Sequence, residues 1–444
     1  MKVRRLPIDP GPAAWNRLLP QPQSAPAFTG LQSADWLIIG AGFAGLAAAH
    51  RLSELHPGDK ITVLEATTVA DGPAGRNSGF MIDVPHDLSS SDYGGEHDQD
   101  LREIRLNRAG IRFALDCASK LELPAEAISL SGKLNAAATT RGLAHNRAYA
   151  KHLDTLNEPY ERLDAHEMQA LTGTVFYHEG LFSPGTAMLQ PAMFIRGLAT
   201  GLNHQRVNLY ENSPVIALAR DGSNWRATTP GGKVAAPRVI LAVNGHAESF
   251  GFFRRQLLHV FTYASMSRVL TTTEISRLGG VSRWALTPAD PLGTTVRRIA
   301  GTGGDRLIIR NRATLDPSMQ VSHNRVAAMG KTQDKSFRAR FPMLTDVTME
   351  YRWGGRLCLS RNSVPAFGEL ETGLFACCCQ NGLGTAKGTV SGMLAADLAS
   401  ERSSPLLSDI QSFAAPANLP AAPLTWLGGN ASIRWNEWRA GREL

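Results

Sequence analysis

Apolar and polar positions change period several times along the chain. Trp36, Leu37, Ile38 and Ile39 form an unbroken apolar run, the pattern of a strand buried on both faces. Three glycines within six residues follow, at 40, 42 and 45, and then "LAAAHRLSEL" with helical spacing. A second strand-like run, "KITVLEA", comes next. Strand, glycine turn, helix and strand in this order predict a βαβ unit. Residues 100–121, "DLREIRLNRAGIRFALDCASKL", carry apolar positions at helical spacing, and "SFRARF" reads as a polar helical piece. "HVFTYASMSRVLT", "TTVRRIAGTGG" and "RLIIRNRA" read as strands. Near the end a strand-like run through Cys377, Cys378 and Cys379 leads into a second glycine-rich turn and helix, "QNGLGTAKGTVSG".

Bulk composition narrows the classes. With 444 residues, 43% hydrophobic and 19% charged, the chain is long enough for two domains of an ordinary globular protein. Its longest apolar stretch, 36–49, is about 14 residues with three glycines, short of the roughly 20 that span a bilayer. The N-terminus "MKVRRLPIDPGPAAW" has prolines where an export signal needs an apolar segment. Five cysteines, three of them consecutive, make no spaced disulfide framework, and neighbours on a strand point to opposite faces rather than to one metal. Buried thiols, no metal and a cytoplasmic home are expected. The net charge of +7 has no dense basic block behind it, so a solvated surface or steering of an anionic ligand is expected rather than nucleic-acid binding.

The first turn supplies Gly40, Gly42 and Gly45 as G-x-G-x-x-G, opening a helix at Phe43 and Ala44. Such glycines allow the tight turn, the approach of a pyrophosphate and close packing of helix on strand. The helix N-terminus offers free N–H groups and its positive dipole end to the phosphates. Glu65, 20 residues after Gly45 and beside Ala66, stands where a carboxylate holds a ribose hydroxyl. This motif predicts an adenine dinucleotide and leaves NAD and FAD open.

Just beyond Glu65 comes "GPAGRNSGF". Here the chain resembles the D-amino-acid-oxidase-like superfamily of FAD-dependent amine oxidoreductases, in look nearest its γ-glutamylputrescine oxidase branch. The loop matches through Gly72, Gly75, Arg76, Asn77 and Gly79, with Ser78 between, and departs at Pro73 and Ala74. The resemblance implies that this loop lies along the flavin and that backbone near Val215 meets the adenine. It also implies that Asn244 and Gly245 close the FAD domain. It continues through Trp353, Gly354, Asn362, Pro365 and Gly368. By the same resemblance, Gly382, Leu383, Gly384 and Thr385 start a helix aimed at the pyrimidine edge of the flavin, where a helix dipole favours negative charge. Lys387 adds charge there or points to solvent. Cys358 is out of register for a covalent link, so non-covalent FAD is expected.

The fold implied is α/β. It combines a Rossmann-type FAD-binding domain of the glutathione-reductase kind with an α+β substrate domain built on an antiparallel sheet. The expected division is an extension, 1–29; FAD-binding segments 30–92, 147–250 and 350–402; substrate segments 93–146 and 251–349; and a tail, 403–444, packed on the body through Trp426, Trp435 and Trp438.

The resemblance implies oxidation of an amine or amino acid at a C–N bond to an imine, which water hydrolyses. Dioxygen, a quinone or another acceptor reoxidises the flavin, and no membrane span is needed. His259 and Tyr263 are the candidate catalytic residues. Asp83, His86, Arg297, Arg310 and Trp353 are candidates for the substrate pocket, the arginines as carboxylate grips. A 2-hydroxy-acid oxidoreductase, and a flavin-binding RNA-modifying or regulatory protein, are the alternatives.

Overall fold

The computed structural model spans residues 1–444 and describes all except Gln23, Leu88, Ser89, Ser91, Asp92, His204 and Gln205, and the side chain of Ala422. A six-stranded sheet forms its first layer, in the order Val207–Tyr210, Ile61–Leu64, Trp36–Ile39, Arg238–Leu241, Leu374–Cys378, Ala366–Glu371. The first five strands are parallel and the last is antiparallel to its neighbour. Alternation explains why Trp36–Ile39 is apolar throughout. Trp36 and Ile38 pack into a core with the helix Phe43–Leu55, whereas Leu37 and Ile39 pack into a second core with Trp225 and Val234. Those two belong to a four-stranded sheet, in the order Gly30–Ser33, Gly232–Ala236, Asn224–Thr228, Ala217–Asp221.

Helix Ala386–Ala399 lies against Phe43–Leu55, and its glycines explain the closeness. A methyl group on Gly392 would collide with the Ala44 carbonyl, and one on Gly388 would stand 3.3 Å from Phe43 Cβ. Gly388 and Gly392 therefore serve a close helix–helix contact, and Gly388 also borders the cavity described below. Helix interior glycine costs about 1 kcal/mol against alanine, offset here by packing.

The second layer is an eight-stranded sheet, in the order Met349–Leu359, Leu258–Ser267, Arg306–Leu315, Thr295–Ile299, Trp284–Pro288, Lys133–Ala137, Glu179–Ser183, Glu161–Leu163. It is antiparallel except where Lys133–Ala137 runs parallel to Trp284–Pro288. It takes strands from segments assigned by sequence to either unit: Glu161–Leu163, Glu179–Ser183 and Met349–Leu359 all pair here. The expected cut at 92 lies outside the described residues.

The N-terminal extension is not a loose leader. Val3 N–H bonds to Ile216 O at 2.9 Å and Arg4 N–H to Ser249 O at 3.0 Å. Asp9 meets Arg356 at 3.3 Å, and Trp15 Nε1 donates to Asn77 O at 2.8 Å. The C-terminal tail is anchored by polar groups rather than by its tryptophans. Asn430 bonds Leu315, Glu437 takes the Ala313 N–H, and Glu443 takes the Ala138 N–H at 2.7 Å. Trp426, Trp435 and Trp438 stay exposed, because the helix bearing them turns Asn430 and Glu437 inward. All five cysteines are buried free thiols.

Candidate active site

The carboxyl ends of the parallel strands open into one long cavity that continues under the eight-stranded sheet, the place where ligands bind in open α/β sheets. Its walls include residues 40–44, 65–68, 72–74, 76–80, 242–246, 355–358 and 382–385, with Val215, Thr262, Ala264, Arg310 and Trp353. The two glycine turns, more than three hundred residues apart in sequence, thus line the same space.

The glycines separate by what needs them. A methyl on Gly40 would stand 2.6 Å from Ala242 O, and φ there is +103°; on Gly45 it would strike Gly40 O. Those two, and Gly75, which packs on Ala70 O, are demanded by the protein itself. Gly45 and Gly75 do not line the cavity. At Gly42 the nearest atom to an added methyl is Ala74 Cβ at 3.7 Å, and at Gly384 it is Gln380 Cβ at 3.9 Å. The protein itself leaves room for a methyl group at these two positions, so their bare backbone is open to close approach by a ligand. Both helices that start here, Phe43–Leu55 and Ala386–Ala399, lack a side-chain cap at the N-terminus, leaving donors for an anion.

Glu65, at the end of Ile61–Leu64, accepts from Ala41 N–H at 2.9 Å and Thr67 N–H at 3.1 Å. Burial raises its pKa. Two imidazoles complete the lining. His86 Nδ1 and His246 Nε2 are buried without a hydrogen-bond partner, and both residues border the cavity. Burial, then the charges of Lys133, Arg310 and Lys387, hold His86 well below its ordinary pKa. Burial and Arg356 bring His246 to about 2. Uncapped helix ends, open glycines and orphaned polar atoms on one elongated wall fit a flavin adenine dinucleotide.

Residues 35–398 match the family described as DAO, FAD dependent oxidoreductase. The chain belongs to this family. It is 25% identical over 414 residues to a probable oxidoreductase OrdL of Rhizobium meliloti strain 1021, covering 90% of this chain and 91% of that one. It is also 25% identical over 412 residues to the gamma-glutamylputrescine oxidoreductase of Escherichia coli K12, covering 88% and 87%. Among solved structures, glycine oxidase from Geobacillus kaustophilus superposes with a TM-score of 0.70 at 19% identity, covering 84% of this chain and 96% of that one. Iminodiacetate oxidase from Chelativorans sp. BNC1 gives 0.66 at 17%, covering 83% and 96%. The protein is an FAD-dependent oxidoreductase of the DAO family, with the mixed α/β architecture that its sequence pattern implied.

Of the residues singled out in sequence, the structure brings most to the cavity but not all. Gly40, Gly42, Phe43, Ala44, Glu65, Ala66, Arg76, Asn77, Ser78, Gly79, Val215, Asn244, Gly245, Gly382, Leu383, Gly384 and Thr385 line it. Arg76 nonetheless spends its guanidinium on the protein, donating to Asp71 O, Pro10 O and Gly11 O. Lys387 does not line the cavity. Its ammonium pairs with Glu103 at 2.7 Å, tying the glycine-opened helix to His97–Lys120.

The two candidate catalytic residues are placed elsewhere. Along Leu258–Ser267 the cavity is lined by Thr262 and Ala264, so by the two-residue period Tyr263 faces behind the sheet. Its hydroxyl is 2.6 Å from Thr314 Oγ1, and the residue is fully buried. His259 also misses the cavity, its Nε2 meeting Glu248 at 2.7 Å. Asp83 is buried against Arg108 at 3.1 Å and does not reach the cavity. Arg297 is likewise committed, donating to Ser78 O at 2.7 Å and Leu189 O at 2.9 Å. Trp353 lines the wall while its Nε1 donates to Arg76 O at 2.9 Å.

The cavity wall that carries Arg310 holds residues the sequence reading passed over. Tyr93 stacks on His86 at 4.1 Å and 11°, and donates to Pro288 O at 2.8 Å. Thr287, Pro291 and Thr295 stand on the same wall. At the opposite, turn-lined end, Val3, Arg5, Leu6 and Pro7 of the extension also border the cavity. Tyr93 had one local signal, a lone aromatic before two glycines in "DYGGE". The extension had none.

Proposed function

We propose that the protein oxidises the C–N bond of an amine or amino acid that carries a carboxylate, gripped by Arg310. The observation behind this reading is that Arg310 borders the cavity with no hydrogen-bond or ion-pair partner of its own among the described residues. A guanidinium left unpaired in a buried wall is costly, and burial already lowers its pKa. A substrate carboxylate supplies the bidentate partner whose geometry it matches. Arg297, the other candidate, does not border the cavity and gives its Nη1 to Ser78 O and Leu189 O. The names of the relatives, an oxidase of glycine and one of iminodiacetate among them, support an amino-acid-like substrate.

FAD, when bound along this cavity, would supply the two-electron acceptor for the hydride equivalent on the carbon beside the nitrogen. The chain's residues orient and dry the reactants. Arg310 on one strand and the facing Ala264 on the next set the carboxylate's position. Ala264 leaves room for the substrate carbon. His86, neutral and with Nδ1 open, accepts a hydrogen bond from the substrate nitrogen and disfavours a second positive charge beside Arg310. The Tyr93 ring behind His86 holds it in place and excludes water. Water then hydrolyses the product imine to a carbonyl compound and ammonia, or an amine where the nitrogen carries a second carbon.

FAD is held without a covalent bond in this reading. Cys358 borders the cavity, but a hydrogen bond with the Cys379 thiol, and then burial, keep its thiol well above its ordinary pKa, and a thiol rather than a thiolate is a poor nucleophile.

Anaerobic titration of the yellow holoprotein tests the proposal. Glycine-type amino acids, γ-glutamyl amines and D-amino acids are compared with polyamines lacking a carboxylate and with 2-hydroxy acids. Bleaching of the flavin band by carboxylate-bearing amines alone is expected. Bleaching by a 2-hydroxy acid and by no amine would overturn it, and equal bleaching by polyamines would remove the role of Arg310. Repeating the productive titration under air and with a quinone identifies the acceptor.

A further inference from the structure

The C-terminal helix, Ala422–Ala440, has a fixed inner face. Asn430 Nδ2 donates to Leu315 O at 2.9 Å while its Oδ1 accepts from Leu315 N–H at 3.1 Å. Glu437, 1% exposed, accepts from Ala313 N–H at 3.0 Å and pairs with Arg312 at 2.5 Å. These bonds set the rotation of the helix about its axis, and so decide what it shows to water. Beside the exposed Ser432 and Arg439 it shows large apolar side chains: Leu424 is 65% exposed, Leu427 58%, Trp435 58% and Trp438 71%. Ala431, also exposed, lies midway. At 100° per residue these five positions fall within about 80° of the helix circumference, a single outward stripe about 21 Å long.

The stripe is symmetric about its middle. Leu424 and Trp438 lie seven residues to either side of Ala431, and Leu427 and Trp435 four to either side. A second copy laid antiparallel therefore meets it large against large, with only small side chains at the centre. We propose that this helix is a dimerisation element. Two copies pair about a two-fold axis at Ala431, with Leu424 against the partner subunit's Trp438 and Leu427 against the partner subunit's Trp435. Gly428, with open space above it, and Ala431 let the helices approach closely at the crossing. Trp435 and Trp438 already pack against each other, with ring centroids 5.0 Å apart and their planes tilted by 31°, so each aromatic anchor is preformed.

Charge and area agree with a protein partner. Residues 422–433 carry no charge at all, and Arg434 pairs with its own Glu437. A helix lying in a membrane surface instead carries a polar face rich in Lys and Arg opposite its apolar one, whereas the face opposite this stripe is bonded to the body of the protein through Asn430 and Glu437. In the antiparallel pair the two copies of Arg439 lie about 24 Å apart along the axis, so like charges do not meet. The four large side chains expose on the order of 600 Å² per copy, or about 1,200 Å² for the pair, the lower edge of a specific interface.

Sedimentation of the full-length holoprotein at micromolar concentration is expected to give a dimer. The Leu427→Lys/Trp435→Lys variant is expected to be monomeric, its dissociation constant raised at least 100-fold, with flavin content and thermal midpoint kept. Register is read by oxidative cross-linking, since all native thiols are buried. Ala431→Cys is expected to link to its own copy. Leu424→Cys and Trp438→Cys are each expected to stay unlinked alone and to link when combined in one chain. A monomer at tens of micromolar, a dimer indifferent to the lysine substitutions, or failure of Ala431→Cys to link would each overturn the proposal. So would a monomer that floats with phosphatidylglycerol vesicles and loses that affinity with the lysines, which would assign the stripe to lipid.

Discussion

The Arg297 guanidinium occupies the space that a side chain on Gly79 would need. Gly79, at φ +78°, closes the flavin loop, and Arg297 reaches over it from the strand Thr295–Ile299 to bond Ser78 O and Leu189 O. It stacks at 5.0 Å over Trp15 of the extension. One arginine thus ties the second sheet, the loop and the extension together, while Arg310, on the neighbouring strand, is left open to the cavity. The two arginines divide building from binding.

Arg297→Met is expected to cost stability. It strands two buried carbonyls, worth about 1–3 kcal/mol each, so the thermal midpoint and flavin occupancy fall together. Arg310→Gln is expected to leave both unchanged while kcat/KM for a carboxylate-bearing amine falls roughly 100-fold to 1,000-fold, the about 3–4 kcal/mol of a desolvated charge pair. Calorimetry and steady-state kinetics on the two variants read the division, and a thermal loss in Arg310→Gln with unchanged kinetics would reverse it.

Two glycines of one motif should behave differently. Gly42→Ala meets nothing closer than 3.7 Å in the protein, so the apoprotein keeps its thermal midpoint while FAD binds at least 10-fold more weakly. Gly45→Ala collides with Gly40 O and lowers the midpoint with or without FAD, by the 1–3 kcal/mol typical of overpacking. Flavin fluorescence titration beside apoprotein melting separates them.

Removing residues 2–11 is expected to speed FAD release. The deletion takes away the carbonyls of Pro10 and Gly11 that hold Arg76, and Asp9, the partner of Arg356. Both arginines border the cavity and lose compensation for their burial. Release is followed by the rise of free-flavin fluorescence after dilution. A rate equal to that of the intact chain would show that the extension has no hold on the cofactor.

Stability should decline as pH falls below about 6.5. His86 and His246 are both depressed by burial, so the unfolded chain binds protons that the folded chain refuses. Their contribution is complete above 6.5 and is lost on acidification, at up to about 1.4 kcal/mol per pH unit for each imidazole. For His246 the loss continues toward its folded value of about 2. His246→Asn is expected to flatten the slope of unfolding free energy between pH 6.5 and 4 by about one proton; an unchanged slope would show that His246 titrates normally.

Much of the cofactor end was legible in the sequence because its constraints are local. Gly40 needs its conformation within its own turn, Glu65 follows at a set distance, and Gly382 and Gly384 open a helix whatever lies above them. The loop 72–79 was legible by resemblance, although Arg76 and Asn77 proved to hold backbone rather than to point wholly at a ligand. The substrate end was not legible in the same way. Thr262 and Tyr263 are neighbours in the sequence and lie on opposite faces of a sheet. Which face looks into the cavity depends on the pairing of Leu258–Ser267 with strands some fifty and ninety residues later. Lys387, in the first turn of a helix, looked available until Glu103 arrived from a distant helix to claim it.

The sequence by itself determined an adenine dinucleotide site, the strand–turn–helix suited to its phosphates and the strand-like runs of a second sheet, since these rest on backbone geometry and period within short windows, while the choice of FAD came by resemblance. Only the tertiary structure decided which arginine borders the cavity unpaired, which histidines line it, that Val3, Arg5, Leu6 and Pro7 reach it, and that three tryptophans remain outside. Each of those outcomes turns on which partner a side chain meets across the fold, and long-range partners are set by the packing of whole layers.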